Sequence, residues 1–121
     1  MPRINVNLDD VESGFEIYPD GTYSVEIQPS SKIKKSDAGA YILWIAKILD
    51  GEFVDKMISW NTSLLPQALW NLKAMLEAIE VEWDEDGFEM EDAFDHKLIV
   101  TNEIRQYDGK DRNNIVEYHA M

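Results

Sequence analysis

Six of the eleven Lys and Arg residues fall in two short segments: Lys32, Lys34 and Lys35 between Pro29 and Gly39, and Arg105, Lys110 and Arg112 near the C-terminus. Cations grouped in this way bind phosphate or carboxylate, the guanidinium as a two-pronged fork and the ammonium as a point charge. Tyr41 follows the first segment, and Tyr107 directly precedes the turn of the second. A phenol ring beside cations offers a face to a nucleobase, worth about 1–3 kcal/mol per stacked base and tolerant of base sequence. Lys47 and Lys56, on either side of the turn Leu49-Asp50-Gly51-Glu52, would add phosphate partners. The plainer alternative, that lysines in polar loops are simply solvated, stands beside this reading.

Other chemistries find little support. Residues 77–95 hold ten acids and no base, but Glu82, Asp84, Asp86 and Gly87 only imitate the start of a calcium loop, since Ala93 stands where a bidentate Glu is required. Asp92 and His96 are four apart, and two ligands do not make a metal site. There is no cysteine, no Gly-x-Ser-x-Gly elbow and no phosphate-binding glycine loop, so neither a catalytic role nor a bound cofactor or metal is expected.

The formal charge of −13 is hostile to a polyanion, yet its placement matters more than its size. Outside the acidic block, 14 acids face 11 bases, so a basic surface elsewhere is compatible with the composition. At 121 residues with 45% hydrophobic content the chain suits one folded domain. No apolar stretch approaches a membrane span and the N-terminus has no signal-like apolar region, which points to a cytoplasmic protein without a membrane partner.

The elements that must position these residues follow from periodicity. Residues 1–16 read as an N-terminal arm with an edge strand around Ile4 to Leu8, and 17–121 as the domain. Tyr23, Val25 and Ile27 alternate with polar residues after the turn Tyr18-Pro19-Asp20-Gly21, a half-buried strand. Pro29 to Gly39 is a loop or a protruding strand end. Tyr41 to Ile48 and Phe53 to Trp60 then form a hairpin. Leu65, Leu69, Leu72, Leu76 and Ile79 share one helical face, with Thr62 or Ser63 as cap, Pro66 in the first turn and an end near Glu80. The acidic connector follows, with a short helical turn through Glu91-Asp92-Ala93-Phe94. Strands from Leu98 to Tyr107 and Asn114 to His119 flank the turn Asp108-Gly109-Lys110. Three strands, a helix and two strands is the order of a five-stranded OB-fold barrel, mainly β, with its helix between strands three and four. A small α+β open sheet has the same order. Trp44, Phe53, Tyr23 and Trp70 are expected in the core or against the helix.

Several landmarks lie in a fixed order along this frame: Asn7-Leu8-Asp9-Asp10-Val11-Glu12, Tyr18-Pro19-Asp20-Gly21-Thr22-Tyr23-Ser24-Val25-Glu26-Ile27, Gly39-Ala40-Tyr41-Ile42, Ile48-Leu49-Asp50-Gly51-Glu52-Phe53, Trp70-Asn71-Leu72-Lys73-Ala74-Met75-Leu76, and Tyr107-Asp108-Gly109-Lys110 with Asn113-Asn114-Ile115. In this order they resemble a family of small bacteriophage OB-fold single-stranded-DNA-binding proteins, often described only as a phage domain of unknown function. The resemblance covers residues 7 to about 118. Asp95-His96-Lys97 departs from it, standing where a Gly-Lys step is expected, and Tyr118-His119-Ala120-Met121 stands where such proteins often carry an acidic tail.

The resemblance implies a non-enzymatic, largely sequence-independent binder of single-stranded DNA in phage replication or recombination, working in the host cytoplasm beside replication or recombination proteins. In an OB-fold the ligand crosses strands two and three, flanked by the loops between strands one and two and between strands four and five. Those loops hold the two basic segments. If Ile42, Trp44, Ala46 and Ile48 face inward, then Tyr41, Leu43, Ile45 and Lys47 face outward. Tyr41 is then the first stacking candidate and Tyr107 the second, while Leu43 and Ile45 call for a cover, either the N-terminal arm or a second subunit in a homodimer. The rival reading is an acidic protein-interaction module or DNA-mimic inhibitor of a host protein, with residues 77–95 as its working surface.

Overall fold

The computed structural model describes residues 17–37, 39–107 and 109–121, with the side chains of Ser36 and Tyr107 outside that description. The expected N-terminal arm, 1–16, lies outside the described residues. Six strands alternate with one helix: β1 (Gly21–Ile27), β2 (Lys32–Ser36), β3 (Gly39–Ile48), β4 (Met57–Ser63), α1 (Leu69–Ala78), β5 (Lys97–Tyr107) and β6 (Lys110–Ala120). The protein is mainly β, and all its strand pairs are antiparallel.

The long β3 organises the sheet. β4 lies along one edge, from Tyr41↔Ser63 to Lys47↔Met57. The other edge is shared, because β2 pairs with Gly39 to Leu43 and β1 with Ala46 to Ile48. Between them the chain steps out of the ladder, and Ser31 fills the gap: its Oγ accepts from Ile45 N at 2.8 Å and lies 3.2 Å from Ile45 O. β1 continues to β5, and β5 to β6 with a bulge after Thr101.

Here the structure corrects the expected five-stranded barrel. There are six strands, because the segment read as a loop or strand end pairs with β3 over five residues. β2 was hard to recognise because neither face carries an apolar row: Ile33 is 58% exposed, and the lysines lie on both sides of the strand. Among the described residues no ladder joins β4 to β6, so the sheet is open at that seam. Side chains span it instead. The Trp60 and Tyr118 rings lie 6.5 Å apart, and Asn113 Nδ2 donates to Ser59 O at 3.5 Å.

The inward face follows the period-2 reading. Val25, Ile27, Ile42, Trp44, Ala46, Ile48, Ile58, Leu98 and Val100 are at most 2% exposed, each removing apolar area from water at about 25 cal/mol per Å². The Trp44 indole donates to Thr62 Oγ1 at 2.9 Å, which satisfies a polar group at the centre of the core. Thr62 is therefore committed to β4 and caps no helix.

The helix packs with a rotated stripe. Leu72, Met75, Leu76 and Ile79 are buried, whereas Leu69 is 41% and Trp70 66% exposed, contrary to their expected packing roles. A 3₁₀ turn, Pro66–Ala68, precedes α1, and its tighter period puts Leu69 out of phase with the face that the later leucines share. Ser63 Oγ accepts from Leu65 N at 3.1 Å, so it braces the turn rather than capping α1, whose N-cap is Ala68. The helix stops at Glu80, in the left-handed region at φ 58°, with Val81 N donating to Leu76 O.

Tyr18 locks the open end of the sheet. Its hydroxyl donates to Met57 O at 2.8 Å, its N–H to Asn113 Oδ1 at 2.9 Å, and its carbonyl accepts from Asn102 Nδ2 at 3.0 Å. With Phe53 packed edge-on at 5.0 Å, this residue ties β4, β5 and β6 together across the seam.

Candidate functional site

In an antiparallel ladder, directly opposed residues share a face. Tracing the registers outward from Tyr41 therefore defines the sheet's outer face. Lys34 lies opposite Tyr41 and Lys32 opposite Leu43. Lys47 lies opposite Met57 on one side and Glu26 on the other, and Glu26 opposite Lys97. Along the β5–β6 hairpin, Arg105 faces Arg112, and Tyr107 faces Lys110.

Seven of the eleven bases thus occupy the outer face of the described strands, against the three acids Glu26, Glu103 and Glu117. The opposite face carries two charged residues among the described strands, Lys35 beside Ala40 and Asp111 beside Gln106, both out on the hairpin arms. Strand alternation has separated charges that the sequence mixes.

The expected site residues consequently divide. Lys32, Lys34, Tyr41, Lys47, Arg105, Lys110 and Arg112 share a face. Lys35 sits across the strand from them, and Lys56 lies in the turn before β4, 6.0 Å from the Phe53 ring centroid. Tyr107 closes β5 opposite Lys110; its side chain lies outside the description. Lys97 belongs to the same face and was missed. Its signal in the sequence is the alternation of Lys97, Ile99 and Thr101 with Leu98 and Val100, of which the latter two are buried.

The centre of the face differs from a stacking platform. Leu43 and Ile45 are only 5% and 7% exposed, and Ser59, opposite Ile45, is 6% exposed. Both aliphatic residues are therefore buried; the N-terminal arm expected as one possible cover lies outside the described residues. Accessible groups lie toward the two ends, with half-buried Tyr41 at one of them.

A family model described as Protein of unknown function (DUF669) matches residues 4–120. The chain belongs to this family. Its description names no activity, and the match runs through every described strand and the helix of this DUF669 domain. No curated protein matches the sequence.

The ion pairs on the outer face are exposed and exchangeable. Lys47 Nζ lies 3.5 Å from Asp55, and Arg105 lies 3.8 Å from Glu103, with all four side chains more than 40% exposed. Such pairs contribute about 0–1 kcal/mol, so a phosphate competes easily. Arg105 lies directly opposite Arg112, with the Glu103 carboxylate beside it.

The acidic connector folds into a separate surface. Asp84 and Gly87 form a small bridge, Asp86 N donates to Asp84 Oδ1 at 2.8 Å, and a 3₁₀ turn follows at Met90–Ala93. Glu82, Trp83, Asp84, Asp86, Phe88, Glu89 and Asp92 line an open cleft of about 370 Å³. Among the described residues no group of three or more His, Asp or Glu converges to hold a metal ion. No described helix is long and apolar enough to cross a membrane.

Proposed function

We propose that this protein is a non-enzymatic, largely sequence-independent binder of single-stranded DNA, acting in phage replication or recombination. The observation that carries the reading is the segregation of charge. A chain of formal charge −13 gathers seven of its eleven bases on the outer face of one sheet. Phosphate binding draws its free energy from such cations displacing counterions.

The connectivity supports the same reading. β1 pairs with β3 and β5, β3 with β4, β5 with β6, and α1 falls between β4 and β5. Closing the β4–β6 seam gives the strand order of an OB barrel, with β2 as an extension of its first strand. The ligand would cross β3 and β4 between the two basic hairpins.

A second reading has its own observation. Trp83 is 44% exposed in the acid-lined cleft of the connector, an arrangement suited to a basic protein partner.

Anisotropy of labelled oligo-dT, titrated at 50 and 200 mM salt, tests the first reading. Saturable binding that weakens with salt supports it. Absence of saturable binding at 50 mM salt sinks it and leaves the connector as the working surface.

A further inference from the structure

Resting on that reading, we propose that the site is a two-ended grip for one continuous phosphodiester chain, closed at its centre, so that affinity depends on a threshold length of strand. The first end is β2, whose Lys34 and Lys32 lie opposite Tyr41 and Leu43. The second end begins at Lys47, opposite Met57, six residues further along β3. The β5–β6 hairpin is fastened at that second end. Tyr18 joins Met57 O to Asn113, and Asn113 reaches Ser59 O. The opposed pair Arg105 and Arg112 stands on that hairpin, next to the fastening point at Asn113.

Six residue steps along a strand span about 20 Å. The stretch between the ends offers bases little: Leu43, Ile45 and Ser59 are all under 8% exposed, and the described aromatic residue on this face, Tyr41, belongs to the first end. Recognition therefore rests on phosphates held at two separated places. A stacked strand rises about 3.4 Å per nucleotide, so 20 Å corresponds to about six nucleotides, and fewer if the strand is stretched. Once both ends are engaged, the second contact forms at the high effective concentration set by the first.

The test is a length series, dT2, dT4, dT6, dT8 and dT12, titrated against the full chain, against Lys32→Gln/Lys34→Gln and against Arg105→Gln/Arg112→Gln. Urea midpoints of the three proteins are compared first, and all four substitution sites lie on the two hairpins, outside the buried hydrophobic core. The native chain is expected to gain more than tenfold in affinity between dT2 and dT8 and little beyond. Either double variant loses that step, binding dT8 nearly as weakly as dT2, while its dT2 affinity drops about twofold. A shallow rise with length in the native chain, or an equal loss at dT2 and dT8 in both variants, overturns the grip and leaves DNA binding intact. No saturable binding at any length overturns the grip together with the reading beneath it.

Discussion

Lys34 and Lys35 are sequence neighbours of identical chemistry, and the register of β2 with β3 places them on opposite faces of the sheet. Replacing Lys32 and Lys34 by Gln should therefore weaken oligonucleotide binding, whereas Lys35→Gln should not. If Lys32, Lys34, Lys47, Arg105, Lys110 and Arg112 each neutralise one phosphate, the slope of log K against log salt is about −4 at roughly 0.7 per contact. The native affinity should then fall about 300-fold between 50 and 200 mM salt. Without Lys32 and Lys34 the slope should be about −2.8 and the fall about 50-fold. Lys35→Gln carries the same change of net charge as Lys34→Gln alone, so that pair of single variants controls for the general field of the chain. The assay is oligo-dT anisotropy at four or more salt concentrations with each variant. Equal flattening of the slope by Lys34→Gln and Lys35→Gln would show that face does not matter, and would refute the argument from register.

Three further outcomes concern the frame that holds this face. Tyr18→Phe removes the donor to Met57 O and should cost about 1–3 kcal/mol, read as a lower urea midpoint at unchanged m value; no shift would mean that the seam is held elsewhere. Gly39 has φ 132°, and a Cβ there would stand 2.8 Å from Leu65 Cδ2, so Gly39→Ala should cost about 1–3 kcal/mol and weaken oligonucleotide binding with it, since the β2–β3 hairpin carries Lys32 and Lys34. Burial pushes the Tyr118 phenol well above its ordinary value; the nearby Trp60 indole offsets this only in part, and neither Trp60 Nε1 nor Tyr118 Oη reaches hydrogen-bonding geometry. The native state therefore keeps a proton that the unfolded chain releases near pH 10, and stability should be full below pH 10 and fall above it by up to about 1.4 kcal/mol per pH unit. Tyr118→Phe should flatten that alkaline limb in urea titrations between pH 9 and 11; an unchanged limb would assign it to another group.

Much of the core was legible because its strands have one wet and one dry side. Tyr23 to Ile27 and Leu98 to Asn102 alternate in sequence, and Val25, Ile27, Leu98, Val100 and Asn102 are buried; in β3 the inward Ile42, Trp44, Ala46 and Ile48 are buried, and so are the outward Leu43 and Ile45. The position of the helix, its end at Glu80 and the turn after Glu89 were also readable, since they depend on local spacing and backbone geometry. β2 escaped because a strand wet on both faces carries no apolar period. The helix stripe shifted because a 3₁₀ turn, which composition does not announce, changed the phase before Leu69.

The candidate site divides in the same way. Sequence by itself determined that the bases cluster in two segments, that most of the acidity lies in one connector, and that Tyr41 and Lys47 alternate with core residues of β3. Which bases act together was decided only by strand register. A shift of one residue would exchange Lys34 for Lys35 and send Arg105 and Arg112 to the other side. The open seam fastened by Tyr18 was likewise a tertiary outcome, because it depends on which distant segments meet.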